Sequence, residues 1–255
     1  MTSPTSLAAR LRADEAIVTA WSGLAVPIVA ELLGRGGYRA VTLDMQHGMH
    51  DIASVRDGFA SLSLVGSHRV ARIPVGDMAT ASRLLDVGAE ALIAPMINCK
   101  ADAEAFADAV KYPPVGKRSW GPHRGAMLGG YTPDEYLLKA NDETVSLAMI
   151  ETPEAIAALD DILAVPGIDG VFVGPSDLSL TLSNGKALDP NGAETTRAAT
   201  EIALKTRAAG KIAGIFCMTP DKVREAQTLG FRFMAYGTDI GILTNGAQQT
   251  LASTT

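Results

Sequence analysis

Two carboxylates stand at matching points behind apolar runs. Glu151 follows the run 145–150, and Asp177 follows the run 170–173 after a Gly-Pro-Ser step. Oxygen ligands from neighbouring strand ends suit hard divalent cations such as Mg2+ or Mn2+, which keep open positions for water and substrate oxygens. Each acid alone also reads as a helix-start residue favoured by the dipole, since Glu151-Thr-Pro-Glu and Pro175-Ser-Asp both look like helix openings. Their pairing on adjacent strands favours the metal.

His47 lies three residues after Asp44 and just before Gly48. A His beside a carboxylate at a strand end can act as a general base or orient a metal-bound water. A loop His bonded to nearby backbone is the plainer reading, and it fits His50, His68 and His123 better. Arg72 closes the apolar run Val70-Ala71-Arg72-Ile73-Pro74, where a guanidinium needs an acidic partner. A substrate carboxylate or enolate oxygen can be that partner, and so can an internal acid, Asp44 or Asp86; the two readings do not exclude each other. Gly174-Pro175-Ser176 leads into a helix whose free N–H groups can hold a substrate carboxylate.

These residues need elements to bring them together. Eight short apolar runs, 17–20, 40–43, 69–73, 91–94, 145–150, 170–173, 212–215 and 231–236, alternate with helix-period segments including 77–87, 101–110, 153–163 and 221–229. Near-continuous apolar runs are expected of parallel strands buried on both faces. Eight strand–helix alternations in one 255-residue domain spanning 1–255 match a (β/α)8 barrel, whose active site gathers at the carboxyl ends of the strands. Segments 32–44, 84–96, 163–177 and 226–239 form a weak internal repeat, in which a helix ends in a left-handed Gly before the next strand. No GxGxxG follows the first strand, which ranks the barrel above a doubly wound sheet. Two stretches break the rhythm, 180–191 and a long Gly-, Pro- and aromatic-rich loop over 111–141. The latter reads as a lid or as an oligomer contact.

Composition narrows the function classes. Apolar residues make up 47% and charged residues 20%, an ordinary globular balance. The net charge is −6 and no basic run exists, which argues against nucleic acid or an anionic membrane as partner. Cys99 and Cys217 are the only cysteines, so a disulfide framework is excluded and a reducing, cytoplasmic setting fits. No apolar stretch reaches membrane-span length, and the N-terminal segment carries acids where a signal sequence would be apolar.

The motifs LDMQHG, VARIP, LLDVGAEALIAPM, YPPVGKRS, MIETPEA, GVFVGPSDLS and AYGTDIG occur in this order between residues 17 and 242. With them the chain resembles the HpcH/HpaI family of class II, metal-dependent pyruvate aldolases. The resemblance implies a (β/α)8 TIM barrel of the phosphoenolpyruvate/pyruvate superfamily. It also implies a homo-oligomer, trimer or hexamer, with the C-terminal helix exchanged between subunits. It makes Glu151 and Asp177 the ligands of Mg2+, Mn2+ or Co2+, and Arg72 the group that binds the pyruvyl oxygen. It places His47 near a metal-bound water as the proton-transfer group. Asp44 supports it, as does Asp86 from an adjacent subunit. Gly174, Pro175 and Ser176 would hold the substrate carboxylate. The implied reaction is reversible cleavage of a 4-hydroxy-2-oxo acid to pyruvate or hydroxypyruvate and an aldehyde.

Two positions depart from the family pattern: Met149 stands where Gln is frequent, and Gln46 where Glu is frequent. Met149 removes a hydrogen-bonding side chain near the metal, so the substrate of the diacid-cleaving relatives does not carry over. Lys211, at a strand start, is at the wrong end for a Schiff base. The competing readings are a malyl- or citramalyl-thioester lyase on the same fold, which would need a basic cofactor pocket, and a non-catalytic barrel used for assembly.

Overall fold

The computed structural model describes residues 5–254. Eight parallel strands close into one barrel in sequential order: β1 (Ile17–Ser22), β2 (Ala40–Asp44), β3 (His68–Arg72), β4 (Ala91–Ala94), β5 (Val145–Ile150), β6 (Gly170–Val173), β7 (Ile212–Phe216) and β8 (Phe233–Thr238). Closure is made by β1 pairing with β8. Helix α1 (Leu7–Arg12) precedes the barrel. Helices α2 (Pro27–Arg35), α3 (Ile52–Leu64), α4 (Met78–Asp86) and α5 (Lys100–Val110) follow the first four strands. Then come α6 (His123–Gly129), α7 (Pro133–Glu143), α8 (Pro153–Ala157), α9 (Leu159–Leu163), α10 (Pro175–Leu182), α11 (Ala193–Ala208), α12 (Pro220–Thr228) and α13 (Asp239–Ala252).

Side chains alternate between two apolar layers, as barrel geometry demands. Ile17, Val70, Ile93, Leu147, Phe172 and Phe233 point into the barrel. Val41, Ala71, Leu92, Ile150 and Val173 point outward into the layer shared with the helices. Leu7 and Leu11 of α1 join the interior cluster, so this helix stoppers the barrel. Its start is set by Ser6, whose hydroxyl accepts from the Ala9 N–H. The glycine of each internal repeat, Gly37, Gly88, Gly167 and Gly230, takes positive φ (103°, 113°, 88° and 96°), which is the turn those segments required.

Three sequence expectations need correction. The stretch 111–141 is not a loop, because it holds α6 and most of α7, the latter opened by a capping box between Thr132 and Glu135. Its Gly and Pro content hid short helices that tertiary packing supports. The segment 153–163 divides into α8 and α9 at Ala158. The last strand begins at Phe233 rather than 231, since Phe231 belongs to the outer core ahead of the strand.

Candidate active site

The carboxyl ends of the strands enclose a cavity of about 270 Å³. Glu151, one residue beyond β5, is 1% exposed. Its Oε2 accepts from the Met96 N–H at 3.0 Å. Met96 reaches that position with φ at 56°, an uncommon conformation for a non-glycine residue that presents its amide to the carboxylate. The other oxygen, Oε1, is buried with no hydrogen-bond partner. Burial, reinforced by the neighbouring Asp177 carboxylate, pushes the Glu151 carboxyl up to about 7. Asp177 sits in the first turn of α10, which starts at Gly174 with no side-chain cap. Two acids driven together around an unpartnered buried oxygen are the arrangement a cation would neutralise.

A second cluster stands on β1–β3. The strand register sets Asp44 opposite Arg72. The Arg72 guanidinium donates from Nε to Asp44 Oδ1 at 2.8 Å and from Nη2 to Oδ2 at 2.6 Å. Trp21 Nε1 donates to the same Oδ2 at 3.2 Å, and its ring lies 4.9 Å from the guanidinium carbon. Burial alone would raise the Asp44 carboxyl, but Arg72 outweighs it and holds it below the usual range. Of the two acids the sequence offered Arg72, Asp44 is the partner. Asp44 Oδ1 also accepts from the Gln46 N–H at 3.0 Å and from the His47 N–H at 3.5 Å, so one carboxylate fixes both Arg72 and the turn carrying His47. His47 lines the cavity at its exposed rim.

His50 and His68 are not loop histidines bonded to local backbone. His50 is buried between Ser22 Oγ (3.1 Å) and Ser54 Oγ (3.3 Å), and Ser22 Oγ donates to Asp239 Oδ2 at 2.9 Å. That network ties the His47 turn to β1 and to the start of α13. His68 meets Glu90 at 2.9 Å near the start of β3. Asp86 does not join His47 within the chain. Helices run antiparallel to the strands, so the end of α4 lies at the opposite face, where Asp86 accepts from Arg118 Nη2 at 2.6 Å. Buried Lys111 and half-buried Lys211 are at that face too: Lys111 Nζ donates to Asp169 at 2.7 Å, and Lys211 Nζ donates to the Ile168 carbonyl at 2.6 Å. Among the described residues no lysine lines the cavity, which leaves no Schiff-base nucleophile there.

With this geometry in place, comparison with known proteins is decisive. The HpcH/HpaI aldolase/citrate lyase profile matches residues 18–246. The chain belongs to that family. It is 40% identical over 232 residues to a hydroxypyruvate/pyruvate aldolase of Rhizorhabdus wittichii, covering 91% of each protein. It is 33% identical over 253 residues to a 5-keto-4-deoxy-D-glucarate aldolase of Shigella dysenteriae, covering 98% of this chain and 96% of the relative. A solved HpcH/HpaI aldolase/citrate lyase family protein from Burkholderia cenocepacia superposes with TM-score 0.88 at 28% identity, covering 98% of this chain and 99% of that one. The chain is therefore a TIM-barrel carbon–carbon lyase of the aldolase type. The HpcH/HpaI family generally depends on a divalent metal.

The residues present fit such an ion. The orphaned Glu151 Oε1 and the adjacent Asp177 carboxylate would offer it two hard oxygens. No group of three or more His, Cys, Asp or Glu that could hold a metal occurs among the described residues. Two carboxylates would leave the remaining positions of a hard cation to water and substrate oxygens. The cradle is shaped by Gly174, where a Cβ would lie 2.4 Å from Glu151 Oε1 and 2.9 Å from Met149 Cε. Gly174→Ala is expected to displace the Glu151 carboxylate and weaken divalent-metal binding at least tenfold, measured by isothermal titration, with the fold unchanged by circular dichroism. Unchanged affinity would mean that Glu151 does not hold the ion. Sequence reasoning had missed Met96, the Trp21 support and the apolar wall of Phe172, Phe216 and Met218. Only the aromatic ends of β1, β6 and β7 could have signalled that wall.

Proposed function

We propose that the chain is a divalent-metal-dependent aldolase that cleaves 4-hydroxy-2-oxo acids to pyruvate or hydroxypyruvate and an aldehyde. The observation that carries this reading is the convergence of Glu151, Asp177 and Arg72 on one cavity free of lysine. Bound to Glu151 and Asp177, Mg2+, Mn2+ or Co2+ would act as a Lewis acid on the 2-oxo group and make the C3–H acidic. The chain's own residues do the rest. Ser176 and Asp177 lie in the first turn of α10 and offer backbone N–H groups to the substrate carboxylate. Pro175 has no N–H and only fixes the turn, and Gly174 leaves room for the carboxylate beside Glu151. Arg72, locked by Asp44 and Trp21, is preorganised to stabilise charge developing on the enolate oxygen. His47, at the rim, takes or returns the proton that moves as the C3–C4 bond breaks or forms.

The test is metal-stripped protein in D2O with pyruvate or hydroxypyruvate, followed by NMR as Mg2+ or Mn2+ is added. Metal-dependent loss of the C3 proton signal is expected. No exchange with either donor in folded, metal-loaded protein would sink the assignment.

We place the working enzyme in the cytoplasm as a trimer or hexamer with α13 exchanged between neighbouring subunits. Cys99 and Cys217 are free thiols, and no helix among the described residues is long and apolar enough to cross a membrane. Within α13 only Asp239 is buried, while Ile240, Ile242, Leu243 and Leu251 are exposed. Such a face on one helix calls for a partner. Asp86 of a neighbour would complete the proton-transfer group in the same assembly. Leu243→Asp combined with Leu251→Asp is expected to lower the mass seen by analytical ultracentrifugation to that of smaller species. An unchanged mass would remove α13 from the interface.

A further inference from the structure

A cleft of about 40 Å³ lies between α11, α12 and the end of β7. Its floor is apolar: Ala199, Ile215, Cys217, Ala226, Leu229 and Phe231. It adjoins the active-site cavity, because Pro175, Phe216 and Met218 line both. Met218 on that shared wall is 45% exposed, so it is free to change rotamer. Polar groups stand at the rim, where Lys222 Nζ pairs with Glu225 at 2.8 Å and approaches Thr196 Oγ1 at 3.5 Å.

The main cavity itself offers little to a polar acceptor. Among the residues lining it the only Lys or Arg is Arg72, and Asp44 already occupies two of its donors. On the β6–β7 side the cavity is lined by the apolar side chains of Phe172, Phe216 and Met218. Within the cavity an aldehyde carrying a second carboxylate would meet no Lys or Arg besides Arg72, and Lys222 at the cleft rim is already paired with Glu225. One carrying an alkyl chain meets an apolar wall and, beyond it, an apolar cleft.

Resting on the aldolase reading above, we propose that the α11–α12 cleft receives the apolar tail of the acceptor aldehyde. The aldehyde carbon stays over Arg72 and the Glu151–Asp177 pair while an unbranched chain passes Phe216 and Met218. At roughly 10–15 Å³ for each water-sized group, the cleft holds about three methylenes. Each buried methylene is then worth about three- to fourfold in kcat/KM.

The experiment measures kcat/KM for addition of pyruvate to acetaldehyde, propanal, butanal, pentanal, hexanal and octanal at saturating Mg2+. The wild type, Ala199→Leu and Thr196→Phe are compared. Both substitutions fill the cleft and lie outside the catalytic cavity. C3 deuterium exchange of pyruvate is followed in parallel, and reports folding and enolate formation without an acceptor. The expected result is a three- to fourfold rise per methylene over about three carbons in the wild type, then a plateau. In both variants the series flattens while exchange stays at the wild-type rate. A flat wild-type series, or a slope that persists in both variants, would overturn the tail assignment and leave the aldolase reading intact. Absence of exchange in the wild type would overturn both.

Discussion

Glu151→Gln is expected to abolish metal-dependent turnover and, in chelator, to raise the thermal stability of the protein above pH 7. Glu151 is buried, has one unpartnered oxygen and faces a second carboxylate. Its carboxyl is raised from 4.5 to about 7, first by burial and then by Asp177. A carboxyl with a raised folded-state value favours the folded state below pH 4.5, and that support is lost as pH climbs through 7. The metal-free wild type therefore carries a penalty of up to about 3 kcal/mol at pH 8. Gln has the same shape and no charge, so it removes the penalty while still accepting from the Met96 N–H. For a chain of this size the gain in Tm is roughly 5–10 °C at pH 8 in EDTA, and it falls to near zero only at about pH 4. Saturating Mg2+ should narrow the difference, because it stabilises only the wild type, by about 2.7 kcal/mol at one hundred times Kd. Metal affinity of the wild type should fall below pH 7 as protons compete for Glu151. Equal Tm values at pH 8 in EDTA would show that the Glu151 carboxylate is not strained in the metal-free protein.

The same residue shows how far the sequence could be read. Glu151 and Asp177 were visible because acids behind apolar runs stand out, and a barrel gathers all strand ends at one mouth. The strands themselves were legible to within two residues for the same reason, since runs such as Val145–Ile150 and Gly170–Val173 are buried on both faces. What stayed hidden depends on register and on backbone shape. Nothing in the spacing of Asp44, Arg72 and Asp86 selects between the two acids; the pairing of β2 with β3 does, by setting Asp44 beside Arg72. Met96 reads as an ordinary apolar residue after Pro95, and only its left-handed backbone turns its amide onto Glu151. Trp21 and Phe216 look like core aromatics by type, and half of that is true, because they pack edge to face at 5.4 Å while lining the site. The two helices inside 111–141 left one usable mark, Thr132-Pro-Asp-Glu135, a capping box after a proline-rich approach.

Arg72→Lys should lower kcat for retro-aldol cleavage by about 10²–10³-fold, the loss expected when one preorganised donor to an oxyanion is removed. The charge survives in that variant, but the planar fork does not. Lys cannot make the paired bonds to Asp44 Oδ1 and Oδ2, nor stack on Trp21, so its ammonium is free to leave the position where enolate charge develops. Asp44→Asn removes the opposite half of the pair. It leaves Arg72 buried with a neutral partner and loosens the Gln46 and His47 amides held by Asp44 Oδ1. Its loss of kcat should be of the same order, with the KM for divalent metal nearly unchanged, because neither residue belongs to the Glu151–Asp177 pair. The double variant decides whether the two act as a unit. If Asp44 works by fixing Arg72 and the His47 turn, the combined loss should be little larger than the greater single loss, as for residues that act as one device. Losses that multiply would instead make Asp44 an independent participant, with a proton-transfer role of its own beside His47.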